Sequence, residues 1–149
     1  MSRKKESVLR QKVKDCVNSL IFHGHQVHLT WVESHATALG AFDINYCYRG
    51  TDGWIELKAG PGMEIRATQI QWARARILAG GWPLFLIQWE DVFMILPASR
   101  APAVGGHPTR ENIEAMASTI WEKDINPDQF IEVLFNPRKE YGKFAIHPR

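Results

Sequence analysis

The residues that decide the fold are Gly40-Ala-Phe-Asp-Ile-Asn45 and, after a short turn, Gly53-Trp-Ile-Glu-Leu-Lys58. Apolar and polar side chains alternate in both stretches, which predicts strands over residues 41–48 and 54–58. The intervening Arg49-Gly-Thr-Asp-Gly53 is typical of a hairpin turn. The sequence therefore predicts two strands that are neighbours in one sheet.

The polar positions of this hairpin bring charged groups together. Glu56 and Lys58 share one face of their strand, because alternate side chains point the same way. We expect Asp43 in the middle of the first strand, where pairing would bring its carboxylate to Glu56. Two adjacent carboxylates repel each other, and Mg²⁺ relieves this repulsion while leaving room for phosphate oxygens. Because a lysine beside such a metal can orient or deprotonate a bound water, the pattern indicates metal-assisted phosphodiester hydrolysis.

Helices and further strands are predicted on both sides of the hairpin. Apolar residues at helical spacing predict helices over 7–22 and 68–79, the second with a capping box formed by Thr68 and Gln71. Apolar, β-branched runs predict three further strands, over 27–32, 84–89 and 92–96. The predicted order is helix, three strands, helix, two strands.

The pattern changes after residue 97. Prolines and glycines predict a linker over 97–108. Thr109 caps a predicted helix whose apolar positions extend to Ile120, and Asn126-Pro127 predicts the start of a short helix through Phe135. This part is therefore expected to be helical.

Composition excludes several classes of protein. A chain of 149 residues that is 45% hydrophobic can bury the core of one domain, which excludes a disordered tail. A formal net charge of +2 argues against a protein that binds DNA by bulk charge alone. No signal peptide, bilayer-spanning run or glycine-rich nucleotide-binding motif is recognisable. We expect a cytoplasmic protein with no membrane contact and no nucleotide cofactor.

The hairpin motif resembles a known nuclease family. Asp43, Glu56-Leu-Lys58 and Thr68-Gln-Ile-Gln-Trp72 are similar to the signature of PD-(D/E)XK nucleases, most of all the VRR-NUC and Holliday-junction-resolvase-like branch. Phe42 stands where the family has a proline, which supplies no ligand. The resemblance covers about residues 5–97.

The resemblance implies an α/β fold, with a mixed central β-sheet flanked by helices. Its core would be restriction-endonuclease-like, in the order αβββαβ. We expect this nuclease core over residues 1–97. Residues 98–149 would form a linker and a C-terminal helical extension packed on the same single domain.

The resemblance also implies a role for each site residue. Lys58 would be the catalytic lysine, and Gln69, also counted with the catalytic residues, would support the site or contact the phosphate from the second helix. Mg²⁺, for which Mn²⁺ can substitute, would be the cofactor. The predicted metal ligands are Asp43, Glu56, the backbone carbonyl of Leu57 and, as a further candidate, Glu6.

The implied activity is metal-dependent endonucleolytic hydrolysis of DNA, on branched or structured DNA such as a Holliday junction. The expected partners are DNA and a second copy of the chain in a homodimer. A phage origin, which would place the protein in a host cytoplasm, is compatible with the resemblance. Arginine forks match phosphate oxygens, so basic residues near the predicted site are candidate DNA contacts. These candidates are Arg66, Arg74, Arg76, His35, Lys4 and Lys5.

Other interpretations of the same residues stay open. Asp43, Glu56 and Lys58 could form a cross-strand salt bridge on a solvated sheet face. The basic residues could be ordinary surface charge. A protein with this fold could also bind nucleic acid or join an assembly, such as a phage particle, without turnover, or serve as a purely structural domain.

Overall fold

The computed structural model describes residues 2–32 and 39–145. The helices are α1 (Ser2–Phe22), α2 (Ala67–Leu78), α3 (Ala101–Val104), α4 (Arg110–Met116), α5 (Pro127–Phe135) and α6 (Pro137–Tyr141). The strands are β1 (Val27–Trp31), β2 (Ile44–Tyr48), β3 (Thr51–Gly60), β4 (Leu84–Trp89), β5 (Val92–Pro97) and β6 (Thr119–Glu122). A 3-10 turn, Ala98–Arg100, leads into α3.

The strands form one mixed six-stranded sheet in the order β1-β2-β3-β4-β5-β6. All neighbouring pairs are antiparallel except β3 and β4, which are parallel and joined through α2. The predicted α/β fold with a mixed sheet flanked by helices is confirmed, as is the order helix, three strands, helix, two strands.

Helices cover both faces of the sheet. Apolar side chains of α1 and α5 pack on one face, against residues such as Ile55 and Leu57 of β3. Side chains of α2, α3 and α4 pack on the opposite face, together with Phe85 and Ile87 of β4. The strand β3 lies between β2 and β4 and is covered on both faces, so its Glu56 and Lys58 side chains are buried.

The hairpin differs from its prediction in one respect that matters for the site. Its turn is only Arg49-Gly50, both with positive φ, and the last pair of the β2–β3 ladder is Ile44 with Ile55. Asp43 therefore lies just before β2 and not in the middle of a strand. Its amide donates a hydrogen bond to the Glu56 side chain, 3.0 Å away.

The segment after β5 is not purely helical, which corrects the predicted extension. The helix starting after Thr109 ends at Met116, and Thr119–Glu122 forms strand β6 against β5. Ser118 causes the change, because both its amide and its hydroxyl donate to the Ile95 carbonyl and draw the chain onto the sheet edge. The predicted linker also contains the 3-10 turn and α3.

Buried polar contacts join the separate parts of this segment to each other. The Arg100 guanidinium, 8% exposed, donates to the carbonyl oxygens of Met116 and Tyr141. The buried Glu140 carboxylate accepts from the hydroxyls of Ser118 and Thr119. No helix in the described part of the chain is long and apolar enough to cross a bilayer.

Candidate active site

Glu56 lies at the centre of the candidate site. It is 4% exposed and projects from β3 on the face covered by α2. Its Oε1 accepts from the Asp43 amide at 3.0 Å, and its Oε2 accepts from Gln69 Nε2 at 2.6 Å. Lys58 Nζ lies 3.6 Å from the same Oε2. The carboxylate is therefore fixed by three different segments of the chain.

Asp43 lies just beyond the end of the β2–β3 ladder. Its Oδ2 accepts from the Leu57 amide at 3.1 Å, so the side chain occupies the position that a further β2 residue would take. The N–H and C=O of one strand residue point to the same edge of the strand. The Leu57 carbonyl therefore faces the same edge as the Asp43 carboxylate, where the ladder has ended.

Gln69 is oriented from both ends of its amide. Its Oε1 accepts from the Arg66 amide at 3.1 Å, which leaves Nε2 to donate to Glu56. This bond also caps the start of α2, so the helix begins at Ala67 and the predicted capping box of Thr68 and Gln71 is wrong. A side chain 1% exposed thus links the helix start to the site.

Lys58 is 6% exposed, and its ammonium lies on the same face as Glu56. A solvated cross-strand salt bridge is excluded as an account of this pair, because both side chains are buried and both belong to β3. A buried ion pair costs more desolvation free energy than an exposed one and is weak evidence of a stabilising role.

Charge is unbalanced around Glu56. Burial and, next, the Asp43 carboxylate raise the pKa of Glu56 from 4.5 to about 8, while Lys58 and the Asp43 amide oppose the shift. Glu6 of α1 raises the same pKa further, so its carboxylate is close enough to act on Glu56. One lysine does not offset these carboxylates, and a cation would.

The donor set suits a hard divalent cation. Carboxylate and carbonyl oxygens are the ligands of Mg²⁺ and Mn²⁺, and Mg²⁺ is commonly held by one or two carboxylates with the remaining positions left to water and phosphate. Among the described residues, no three carboxylate, histidine or cysteine side chains converge as a metal cluster. Asp43, Glu56 and the Leu57 carbonyl are therefore the groups that could hold the ion, with Glu6 nearby but outside that set.

The predicted DNA-contact residues divide into separate groups. Lys5 lies beside the site, because its Nζ donates to the Pro61 carbonyl just after β3, and Lys4 is exposed one residue earlier. Arg66 is exposed at the start of α2. His35 lies outside the described residues.

Arg74 and Arg76 point to different sides of α2. They are about 200° apart around the helix axis. Arg74 lines a shallow groove against the 3-10 turn and α3, with Ile77 and Ser99. Arg76 lies instead over the rings of Trp54 and Trp72. The sequence interpretation missed this aromatic pair, although the spacing of Gln69, Trp72 and Arg76 on one helix face was a signal that could have found it.

Comparison with known proteins gives a likeness in fold. The solved structure of Hjc from Archaeoglobus fulgidus, a Holliday junction resolvase from an archaeal hyperthermophile, matches with a TM-score of 0.51 at 12% identity. The match covers 70% of this chain and 90% of that chain. No family model matches the sequence, and no curated protein does. At this identity the likeness concerns the fold alone, and membership of the VRR-NUC branch stays a prediction.

Proposed function

We propose that the protein is a metal-dependent endonuclease that hydrolyses phosphodiester bonds of branched or structured DNA. One observation carries this proposal. Asp43 and Glu56 meet at the end of the β2–β3 ladder, at the strand edge that the Leu57 carbonyl faces, with the Lys58 ammonium 3.6 Å from Glu56. Burying these charges against each other costs free energy, and such a cost is typical of functional sites.

Each residue has a distinct part in the proposed chemistry. Asp43, Glu56 and the Leu57 carbonyl would hold Mg²⁺ or Mn²⁺, which would supply a Lewis acid and a bound water of lowered pKa. Lys58 orients the attacking water and stabilises the negative charge that develops on the phosphate oxygens. Gln69 is proposed as a positioning residue, because its Nε2 donates to Glu56 Oε2 and so fixes that carboxylate.

The proposed substrate comes from the fold comparison. The similar structure is described as a Holliday junction resolvase, so a four-way junction is the first DNA to test. A junction offers two strands for cleavage, and a homodimer with two sites would match it. We accordingly propose a homodimer that acts in the intracellular compartment holding the DNA. The VRR-NUC relationship and a phage origin remain predictions from the sequence.

A cleavage assay tests the proposal. The protein is incubated with a labelled four-way junction, a flap and a linear duplex, each with Mg²⁺, with Mn²⁺ and with EDTA. We expect cleavage of the junction with either metal, none with EDTA, and a loss of at least about 100-fold in rate for Lys58→Ala. The matched control is Lys14→Ala, because Lys14 is exposed on α1 and outside the site.

Two outcomes would contradict the proposal in different ways. DNA binding without metal-dependent cleavage of any substrate would favour a protein that keeps the nuclease fold without turnover. Neither binding nor cleavage would favour a structural role. A crystal grown with Mn²⁺ tests the ligands separately, and an ion that contacts neither Asp43 nor Glu56 would defeat the assignment of the site.

A further inference from the structure

A cation stacked on two tryptophans lies beside the candidate site and has no part in the chemistry described above. The guanidinium carbon of Arg76 is 5.1 Å from the centroid of the Trp54 ring and 5.1 Å from that of Trp72. The two indoles meet edge to face, with centroids 5.1 Å apart. Cation–π contacts of this length are attractive, so they restrict where the guanidinium can be.

We call Trp54, Trp72 and Arg76 the stacked-arginine cluster. Its residues lie on β3 and α2, the same two elements that carry Glu56 and Gln69 of the site. Trp54 lies on β3 two residues before Glu56 and on the same face, a separation of about 7 Å at the usual strand rise. Arg76 lies seven residues after Gln69, a rise of about 10 Å along α2. One DNA strand carries a phosphate about every 3.4 Å of helix axis. The cluster is therefore within a few nucleotides of the phosphate that the site would cut.

Arg76 keeps its hydrogen-bonding capacity. It is exposed, and in the described part of the chain no carboxylate forms a salt bridge with it. Asp52, further along the same face of β3, accepts instead from Asn45 Nδ2 at 2.8 Å. The N–H donors of a guanidinium match phosphate oxygens, so those of Arg76 remain suited to a phosphate.

The chemistry of the cluster favours a phosphate over a base. Trp54 and Trp72 are only partly exposed, and the Arg76 guanidinium already lies over both rings. A base would have to displace the guanidinium to stack on them. A phosphate needs no such rearrangement, because no carboxylate in the described part of the chain occupies the N–H donors of Arg76.

We propose that the stacked-arginine cluster is a phosphate-binding subsite for the DNA strand that enters the active site. The inference rests on the proposed function for its substrate and goes further in naming a contact away from the cleaved bond. Because the rings hold the guanidinium in place before DNA arrives, less side-chain freedom is lost on binding. A fixed phosphate contact at this distance sets the register of the strand and thus determines which phosphate lies against Lys58.

Paired substitutions on α2 test the subsite. Arg76→Gln and Arg74→Gln remove the same charge from the same helix, but only Arg76 stacks on the tryptophans. The dissociation constant for a labelled four-way junction is measured in EDTA, so that the DNA stays whole, across about 50 to 200 mM KCl. Thermal unfolding of each variant shows that it is folded.

The subsite predicts a clear difference between the variants. Arg76→Gln should raise the dissociation constant about tenfold and reduce the slope of log K against log salt by about 1, as expected for one lost phosphate contact. Arg74→Gln should raise the dissociation constant no more than about twofold, because Arg74 lies on the other side of α2, in the groove against the 3-10 turn, and its charge is largely screened from a strand bound at the tryptophans. Arg76→Lys, which keeps the charge but not the planar fork, should fall between wild type and Arg76→Gln.

Equal losses for Arg76→Gln and Arg74→Gln would overturn the subsite. So would a lower unfolding temperature for Arg76→Gln with unchanged DNA binding and salt slope, because the stack would then serve stability only. A failure of the subsite can be told apart from a failure of the proposed nuclease function. If wild type binds DNA but does not cleave it with Mg²⁺, the nuclease proposal fails while the comparison of the two arginines still decides the subsite.

Discussion

At the scale of the residue, Glu56 connects stability to pH. The pKa of Glu56 is raised from an ordinary 4.5 to about 8 in the folded, metal-free protein. Between pH 4.5 and pH 8 the folded protein therefore keeps a proton on Glu56 that the unfolded chain has released. The free energy of unfolding therefore falls as pH rises from about 4.5 to about 8. At lower pH the carboxyl is protonated in both states, so the full stability is present there.

This linkage predicts the behaviour of a variant. In EDTA, Glu56→Gln should remove the fall in unfolding free energy between pH 5 and 8, a change on the order of a few kcal/mol. Urea unfolding at several pH values measures it, with Glu122→Gln as the control because Glu122 is exposed on β6. An unchanged pH profile for Glu56→Gln would show that another group is responsible. Cys16 and Tyr46 also have raised pKa values, but they titrate above this range.

Individual residues were predictable to different degrees. The motif predicts that Asp43, Glu56 and Lys58 share a site, and the structure brings these side chains together. The predicted position of Asp43 in the middle of a strand was wrong. The alternation of apolar and polar residues continues beyond the end of the β2–β3 ladder, so it does not show where strand pairing stops. The helical spacing places Trp72 and Arg76 on one face of α2, but the contact of Arg76 with Trp54 depends on the packing of α2 against β3, which local spacing does not show.

At the scale of the element, the start of α2 is held against the loop that leads to Asp43. Gly40 has φ +80°, and a Cβ built on it would lie 2.0 Å from the Thr68 carbonyl oxygen. No side chain fits there, so the loop and the helix meet backbone to backbone. This contact keeps Asp43 and Gln69 on opposite sides of Glu56.

Substitution of Gly40 therefore affects both folding and the site. Gly50 is the matched control, because its φ is +83° but a Cβ there has no neighbour within 4 Å. Gly50→Ala should cost about 1–2 kcal/mol for the backbone conformation alone. Gly40→Ala should cost about 1–3 kcal/mol more, for the clash with the helix start. Chemical denaturation measures both, and equal costs would show that the close contact is not important.

The elements up to β5 were predictable because their patterns are regular. Strand alternation and helical spacing give the order of elements as the structure has it, with ends displaced by a few residues. The strand β6 was not predictable. Ile113, Met116 and Ile120 continue a helical spacing, and only pairing with β5 and the Ser118 contact to Ile95 turns the last part into a strand.

At the scale of the whole molecule, the segment after β5 is attached to the sheet by buried hydrogen bonds. Arg100 binds two carbonyl oxygens from separate parts of that segment, those of Met116 and Tyr141. The Tyr141 hydroxyl in turn donates to the Pro83 carbonyl, just before β4. The start of β4 and the C-terminal segment are thus fixed to each other.

Removing this anchor should be costly. Arg100→Ala leaves buried carbonyl groups without their donors, and we expect a loss of about 3 kcal/mol in the free energy of unfolding. Arg110→Ala is the control, since its guanidinium is 37% exposed and pairs with Glu114 on the surface, and it should cost less than about 1 kcal/mol. Urea denaturation of both variants gives the comparison. A loss for Arg100→Ala no greater than that for Arg110→Ala would mean that the segment is held by its apolar contacts instead.

The central claim is that Asp43 and Glu56 hold a divalent cation with which the protein hydrolyses DNA. Its most direct test is a Mg²⁺ titration of junction cleavage. Single-turnover rates are measured for wild type and Asp43→Asn on the same four-way junction. We expect the wild-type rate to rise with Mg²⁺ and reach a plateau, and the Asp43→Asn rate to stay at least about 100-fold lower throughout. Wild-type cleavage that persists in EDTA, or equal rates for the two proteins, would contradict the account.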